Sequence, residues 1–297
     1  MKIAAVSDIH VRPHGKDKQL VEEIRHRVEK ADPDVFVIAG DISDRLDVLG
    51  ESLASLTIDD CINLFVAGNH DVWFSEEATS LEKYSKKIGR VCQEAGWMHL
   101  PDEPYIHSSL AFVGTLGWSD YSFRVEQLDI PMEAYRQKEY NGAVWRDYYN
   151  IDWTMNDQEV TQLMNRKLKY DLDNLPEDVT EIVSVSHHLP FENLVVYKNR
   201  LPWDFFSAYM GAKSTGEILR NDKRVFLTIS GHSHVRSTKR IDGITAVTAP
   251  IGYCRPPTDK LDAFVDQAVA EIEIQSNDVT LTHFVEGNIC TGLPYPD

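Results

Sequence analysis

The stretch from residue 63 to residue 71 reads Asn-Leu-Phe-Val-Ala-Gly-Asn-His-Asp. Its apolar first half is closed by glycine, which is typical of a buried strand that ends in a tight turn. Ligands of open α/β sheets bind beyond the carboxyl ends of the strands, so we expect Asn69, His70 and Asp71 at the functional edge of a sheet. A polar turn after a strand is common, so its meaning depends on what the other strand ends supply.

Predicted strands and helices alternate around this stretch. Apolar runs predict strands over 2–7, 35–39 and 63–67, and apolar residues at helical spacing predict helices over 18–31, within 46–57 and over 81–95. This order favours parallel strands joined by right-handed crossovers. The remaining predicted elements are strands over 110–115, 182–186, 225–230 and 244–248, a helix over 159–170, and a hairpin of strands 270–274 and 279–284. No linker or repeat interrupts the pattern, so we predict one domain over residues 1–297.

The composition bounds the class of protein. The chain has 297 residues, of which 42% are hydrophobic and 26% charged, as in soluble globular proteins. Lys and Arg number 30 against 47 Asp and Glu, so the net charge is 30 − 47 = −17. This negative net charge disfavours nucleic acid as a partner and is compatible with a small phosphorylated substrate. No stretch approaches the ~20 apolar residues that span a bilayer, and Asp8 and His10 cut the apolar N-terminus short, so we predict a cytoplasmic protein without membrane contact.

The four cysteines are Cys61, Cys92, Cys254 and Cys290. None lies in a C-x-x-C pair, and none has zinc-finger spacing. We interpret them as scattered thiols in the core or at the surface, which suits a reducing compartment.

An aromatic-rich insertion over about residues 118–158 breaks the alternation. It is long for a loop in a compact domain, which favours a lid or a substrate-binding insertion. A satellite hydrophobic cluster that covers the sheet is an equal alternative. Because Trp118 and Tyr121 follow a strand end directly, we predict that they line the substrate side, the alternative being core packing. Tyr253 and Arg255 are further candidates for the edge of the site, which the sequence does not decide.

Five predicted strand ends carry polar groups, and six of the 11 histidines fall in them. Each motif alone is most simply a capped turn, but together they indicate a metal centre. Imidazoles, carboxylates and an amide without thiolate suit Mn, Fe, Zn or Co. Seven candidate ligands are too many for one ion, so we predict two ions that share one carboxylate. The five motifs are Asp8-Ile9-His10, Gly40-Asp41-Ile42-Ser43-Asp44, Gly68-Asn69-His70-Asp71, His187-His188 and Gly231-His232-Ser233-His234.

The set and order of these motifs resemble those of the calcineurin-like metallophosphoesterase superfamily. The resemblance implies an α/β fold, a four-layer αββα sandwich of two mixed sheets, with the metal site at the carboxyl edge of the strands. It implies that His70 acts beside the scissile phosphate and is oriented by Asp44, and that His188 faces the substrate. The implied ligands are Asp8, His10 and His234 for one ion, Asn69, His187 and His232 for the other, and Asp41 for both. For Asp71 we predict that it holds its loop in place by hydrogen bonds to backbone.

The function implied by the resemblance is hydrolysis of a phosphomonoester or phosphodiester by attack of a hydroxide that bridges two divalent ions, with manganese favoured. A nuclease or a cyclic-nucleotide phosphodiesterase on the same site is one alternative. A non-catalytic scaffold of the same fold is another, although such proteins lose ligands and this sequence keeps the full set.

Overall fold

Two six-stranded mixed sheets form the centre of the fold in the computed structural model, which describes residues 1–291. The first sheet has the order β14 (Asp278–His283), β13 (Ala270–Gln275), β1 (Lys2–Val6), β2 (Val35–Ala39), β3 (Ile62–Val66) and β4 (Met98–His99). The second has the order β11 (Ser237–Ile241), β12 (Ile244–Thr248), β10 (Val225–Ser230), β9 (Glu181–Ser186), β6 (Leu110–Thr115) and β5 (Tyr105–His107). A two-stranded hairpin, β7 (Glu139–Tyr140) and β8 (Ala143–Val144), stands apart.

The inner strands of both sheets are parallel, and the sequence predicts this for the strands of the first half of the chain. Strands β1 to β4 pair in parallel, and so do β6, β9, β10 and β12. Antiparallel strands β13, β14, β5 and β11 complete the edges. Parallel strands covered on both faces need apolar side chains on both faces, which explains why their sequences are continuous apolar runs.

Helices cover the outer faces of the two sheets and give the predicted four-layer sandwich. The helices of the described residues are α1 (Lys18–Ala31), α2 (Leu46–Leu56), α3 (Ser80–Glu82), α4 (Ile88–Glu94), α5 (Met132–Arg136), α6 (Asp147–Asn150), α7 (Asp157–Asp173), α8 (Trp203–Phe206), α9 (Lys213–Asn221) and α10 (Leu261–Ala268). The side chains that pack against the sheets come from α1, α2, α4, α7, α9 and α10, whereas α5 and α8 contribute to a separate aromatic cluster. Successive side chains of a strand point to opposite faces. In β2, Val35 and Val37 therefore pack between the sheets, whereas Phe36 and Ile38 pack against the outer helices.

The structure changes the sequence prediction in a few elements. The helix predicted over 81–95 is interrupted by a π-helical turn, Lys83–Lys87, where the buried Lys83 ammonium donates to the carbonyls of Asp44 and Trp73. Strand β11 was not predicted because its sequence, Ser-Thr-Lys-Arg-Ile, is mostly polar, as suits the exposed edge of a sheet. Helices α9 and α10 were also missed.

Two of the four cysteines are joined, contrary to the prediction of scattered thiols. Cys254 and Cys290 form a disulfide with a Cα–Cα distance of 5.4 Å, while Cys61 and Cys92 are free. The partners lie 36 residues apart, and the folded chain rather than a spacing motif brings them together. The cysteines therefore give no support to a reducing compartment, and the cytoplasmic location stays a prediction. Within residues 1–291, no helix has the length and apolar character needed to cross a membrane.

The insertion over residues 118–158 combines the two alternatives considered for it. Its first part supplies Tyr121 and Tyr135 to a buried aromatic cluster that also contains Phe205 and Tyr209, separate from the main core. Its second part, residues 144–147, reaches the wall of a large cavity. One half of the insertion is a satellite cluster, and the other half borders a site.

Candidate metal centre and active site

All seven predicted ligands meet at one edge of the two sheets. The ends of neighbouring strands are tied by backbone hydrogen bonds, from the Asp8 amide to the Gly40 carbonyl at 2.9 Å and from the Gly231 amide to the His187 carbonyl at 3.0 Å. The amide of Gly252 donates to the Asp8 carbonyl at 3.0 Å and links the loop after β12 to the end of β1. The parallel arrangement therefore produces the convergence that the strand-end motifs predict.

The donor atoms of the site form groups suited to cations. Nitrogen or oxygen atoms lie within 4.8 Å of one another in each of three groups, and Asp41 belongs to two of them. Across the site, Nε2 of His10 is 3.2 Å from Nε2 of His234, and Nδ1 of His232 is 3.2 Å from Nε2 of His187. Imidazole nitrogens and carboxylate oxygens at such separations fit divalent transition metals. The three groups are Asp8, His10 and His234; Asp41, His187 and His232; and His10, Asp41 and His70.

Five of the seven predicted ligands have left-handed backbone conformations. Such φ angles are uncommon outside glycine, and they persist where the surrounding structure enforces them, often at functional sites. The unusual backbone conformations of these loops direct the five side chains toward one point. The five residues are Asp8 (φ 56°), His10 (φ 49°), Asp41 (φ 60°), His232 (φ 68°) and His234 (φ 52°).

Two glycines allow the strand ends to approach each other closely. A Cβ atom at Gly68 would lie 2.1 Å from Oδ1 of Asp41. A Cβ atom at Gly40 would lie 2.6 Å from Nδ1 of His187, and Gly40 also has φ of +87°. The glycines that close the second and third strands are therefore required by the packing of the ligands themselves.

The electrostatics of the site hold most ligands in the forms that bind cations. Burial and the neighbouring His70 hold the pKa of His10 well below its usual range, and burial and His187 lower the pKa of His232 to about 3. Although burial opposes ionisation, His187 and His70 hold the pKa of Asp41 well below its usual value. Burial also opposes charge on His187, but Asp41 and Asp8 raise its pKa to about 10. Neutral imidazole and carboxylate are the ligating forms, so His187 would have to lose its proton in order to hold a cation.

Asp147, from the insertion, orients one predicted ligand and was not found from the sequence. Its Oδ1 accepts from Nδ2 of Asn69 at 2.9 Å and from Nε1 of Trp73 at 2.7 Å, and its Oδ2 accepts from Nε1 of Trp145 at 2.9 Å. A carboxylate only accepts, so the amide nitrogen of Asn69 must face Asp147. The Oδ1 atom of Asn69 then faces the site and lies 3.1 Å from Nε2 of His187.

His70 lies at the mouth of the site with its ring fixed on two sides. Its Nε2 is 3.0 Å from the hydroxyl of Tyr253 and 3.9 Å from Oδ2 of Asp41. Trp73 stacks on the ring with a centroid distance of 3.8 Å. The predicted partner Asp44 is instead exposed, and among the described residues no hydrogen bond or ion pair joins it to His70. Tyr253, undecided from the sequence, takes that place.

Asp71 holds the loops of the second and third strands together. Its Oδ1 accepts from the amides of Ile42 and Ser43 at 2.8 and 2.9 Å, and its Oδ2 accepts from those of Asp41 and Gly68 at 2.8 and 2.7 Å. Burial and the charge of Asp41 raise the pKa of Asp71 to about 7. The backbone N–H donors act in the opposite direction, because they stabilise the ionised carboxylate. The prediction of backbone hydrogen bonds for this residue is confirmed.

The site opens into a cavity of about 730 Å³. Asp41, Asn69, His70, His232 and His234 line it together with side chains from the insertion and from residues 195–210. Volumes of this size are typical of small-molecule sites.

Three side chains predicted to face the substrate are instead packed behind the cavity wall. His188, Trp118 and Tyr121 are each buried and lie outside the described residues that line the cavity. His188 packs on His232 with a ring distance of 4.1 Å, and both the Trp118 indole and the Tyr121 hydroxyl donate to Asp157. These placements correct the prediction, because a buried carboxylate binds the polar atoms of both aromatic side chains and draws them into the core.

The sequence profile of the calcineurin-like phosphoesterase family matches residues 1–236. This match covers most of the chain, and the chain belongs to that family as a metal-dependent hydrolase. Similar solved structures include phosphopantetheinyl hydrolase from Mycobacterium tuberculosis, 20% identical over 85% of this chain and 89% of that chain, with a TM-score of 0.68. A dimetal phosphatase from Danio rerio is 15% identical over 97% and 96% of the two chains, with a TM-score of 0.56. At these identities the likeness is one of fold. No curated protein sequence gives a significant match.

The contacts of Asp147 lead to a first prediction. Replacing Asp147 with alanine frees the Asn69 amide to rotate and removes the partner of the Trp73 indole. Partners that orient metal ligands are worth about 10- to 100-fold in metal affinity or activity, and we expect a loss in that range for Asp147→Ala. Metal titration followed by mass spectrometry of the intact protein measures it. Asp152→Ala, which removes an exposed carboxylate of the same insertion, is the matched control, and an equal effect of both variants would contradict the prediction.

Proposed function

We propose that the protein is a dinuclear metal-dependent phosphoesterase that hydrolyses a phosphomonoester or phosphodiester of a small molecule. The observation that carries the proposal is the position of Asp41, which belongs to two of the donor groups and lies beside His70 in the cavity. Two-metal sites serve phosphoryl transfer, and a neighbouring imidazole suits proton transfer to the leaving oxygen.

The residues of the site divide into two sets of ligands around a shared carboxylate. When bound, the ions supply positive charge for the phosphoryl oxygens and make a water molecule more acidic. The set combines imidazoles with carboxylate and amide oxygens and contains no thiolate, which suits Mn, Fe, Zn or Co, and among these we favour manganese. The ligands would be Asp8, His10 and His234 for one ion, Asn69, His187 and His232 for the other, and Asp41 for both.

His70 would hold the proton that the leaving group needs. Burial lowers the pKa of His70 below its usual value and favours the neutral ring, which can still donate an N–H to the leaving oxygen. The hydroxyl of Tyr253 lies 3.0 Å from Nε2, and the stacked Trp73 fixes the plane of the ring. Restricting the ring in this way reduces the entropy lost when it reaches the transition-state geometry.

The direct test is turnover by protein of known metal content. Chelator-treated protein is reloaded with Mn, Fe, Zn or Co and assayed on p-nitrophenyl phosphate and on bis(p-nitrophenyl) phosphate. We expect about two ions per chain and turnover that depends on them. Absence of turnover of both esters with every ion would contradict the proposal.

The same experiment separates the alternative functions. A preference for the diester, together with salt-sensitive binding of nucleic acid, would favour a nuclease or a cyclic-nucleotide phosphodiesterase. Fewer than one bound ion per chain after loading would favour a non-catalytic scaffold. The net charge of −17 gives the nuclease less support.

Replacing His70 with alanine tests the proton role separately from metal binding. We expect kcat/KM to fall by about 100-fold, within the range for general acids, while the metal content stays at the wild-type value. Stopped-flow or steady-state assays and metal analysis on the same sample measure both quantities. His26→Ala, at an exposed position on α1, is the control. Undiminished turnover by His70→Ala would remove His70 from the mechanism.

A further inference from the structure

The cavity extends well beyond the metal ligands. A phosphoryl group next to Asp41 and His70 fills a small part of about 730 Å³. The rest is bordered by a region that we name the apolar chamber, and two segments far apart in sequence form it. The chamber consists of Val144, Trp145, Val195, Val196, Trp203 and Phe206.

The rings of the chamber present apolar surface rather than polar atoms. The indole nitrogen of Trp145 donates to Oδ2 of Asp147 at 2.9 Å, and that of Trp203 donates to the carbonyl of Val196 at 2.6 Å. Both indole N–H groups are thus satisfied within the protein, and neither requires a partner on a ligand. These rings and Phe206 are only half-buried, although large apolar side chains gain from full burial.

The chamber wall is held in place by the aromatic cluster behind it. Trp145 stacks on Tyr209 with an interplanar angle of 9° and a centroid distance of 5.3 Å. The hydroxyl of Tyr209 donates to the carbonyl of Tyr135 at 3.0 Å, deep in the insertion. The Lys198 ammonium lies 3.2 Å from the centre of the Trp203 ring. A wall supported in this way loses little freedom when a ligand packs on it, which favours tight binding.

The charges around the cavity also restrict the ligand. The acidic side chains among its described lining residues, Asp41 and Asp147, belong to the metal end, where ligands or indole donors engage them. Next to the chamber the charged residues are Arg146 and Lys198, both exposed. This arrangement disfavours a cationic alcohol portion and suits a neutral or anionic one.

We propose that the apolar chamber binds the alcohol portion of the substrate, and that the substrate class is a phosphoester of an aromatic or comparably apolar alcohol. The inference rests on the proposed phosphoesterase function, because it assigns the two ends of one cavity to the two parts of one molecule. The aromatic insertion then has a role in specificity: it builds the wall that recognises the alcohol.

Two pairs of probes with matched reactive ends test the proposal. We compare kcat/KM for 2-phenylethyl phosphate and ethyl phosphate, which release similar primary alcohols, and Kd for the corresponding phosphonates, which are not hydrolysed. Burying a phenyl ring predicts a preference of about 10- to 100-fold for the phenyl compound in both measurements. Phe206→Ala is expected to reduce this ratio about tenfold, and Tyr149→Ala, at an exposed position of the insertion, is expected to leave it unchanged. Val196→Ala replaces Phe206→Ala if that variant fails to fold.

The outcomes separate failure of this inference from failure of the proposed function. Equal kcat/KM for the two esters and equal Kd for the two phosphonates would overturn the chamber assignment while leaving the phosphoesterase intact. No turnover of either ester, with a phosphonate preference that Phe206→Ala abolishes, would keep the chamber as a binding site, and the assay with the p-nitrophenyl esters would then decide the enzymatic function. A preference that survives both Phe206→Ala and Val196→Ala would place the recognition elsewhere and also overturn the proposal.

Discussion

Asp41→Asn is expected to lower kcat/KM by more than about 1,000-fold, because metal ions supply several kcal/mol of transition-state stabilisation and each 1.4 kcal/mol is worth tenfold. The Asp41 carboxylate lies 3.4 Å from Nε2 of His187, 3.8 Å from that of His10 and 3.9 Å from that of His70. Asp41 therefore lies close to an imidazole of each predicted ligand set, His10 in one and His187 in the other. Asparagine keeps the shape of the side chain and removes its charge, so the loss reports on electrostatics rather than packing.

Metal analysis gives an independent measure of this variant. We expect at least one fewer ion per chain after loading, since a neutral amide holds two dications poorly in a buried site. Asp47→Asn is the control, because Asp47 is exposed and paired with Arg45 at the start of α2, outside the cavity. A variant at Asp41 that retained two ions and near wild-type turnover would show that the ions do not share this carboxylate.

The strand-end ligands could be predicted because they depend on backbone regularities. An apolar run closed by glycine fixes where a buried strand stops, and parallel pairing brings such ends to one edge. The structure adds the reason for the glycines: at Gly40 and Gly68 a side chain would collide with His187 and Asp41. Periodicity therefore predicted the main strands, the longer helices of the first half, α7 and the strand ends that carry the seven ligands, whereas the division into two sheets came from the family resemblance.

The residues that orient the ligands could not be predicted in this way. Asp147 begins the short helix α6 within the insertion and Tyr253 lies in a loop, 78 residues from Asn69 and 183 residues from His70 respectively. No spacing rule connects Asp147 or Tyr253 to residues so far away in the sequence, because neither of the two directly follows a strand of the main sheets. The disulfide between Cys254 and Cys290 escaped prediction for the same reason, since it joins the loop that carries Tyr253 to the segment after β14.

Trp118 and Tyr121 show how a correct strand end can give a wrong side-chain direction. The strand does end at Thr115, as predicted, but Gly117 then turns the chain with φ of +68°. Beyond that turn, the buried Asp157 accepts from both aromatic side chains and holds them in the core. A residue that follows a strand end closely has a predictable backbone position. The direction of its side chain, however, depends on its tertiary partners.

Asp71→Asn is expected to lower the free energy of unfolding by about 2–6 kcal/mol. The carboxylate accepts from four backbone amides, two at each oxygen. The amide nitrogen of asparagine accepts nothing, so two buried N–H groups lose their acceptor at about 1–3 kcal/mol each. Since domains are stable by about 5–15 kcal/mol, this loss is large. Urea unfolding followed by circular dichroism measures it on protein stripped of metal, so that altered metal binding does not enter the comparison.

The control for Asp71 is a carboxylate that accepts a backbone hydrogen bond at the surface. Asp34 is exposed and its Oδ2 accepts from the amide of Lys2 at 2.7 Å, at the opposite end of the same sheet. We expect Asp34→Asn to cost less than about 1 kcal/mol, because water can satisfy the amide when the side chain changes. Equal destabilisation by the two substitutions would mean that burial of the four amides does not set the cost. A large effect confined to Asp71 would make this residue the structural link between the loop that carries Asp41 and the loop that carries Asn69 and His70.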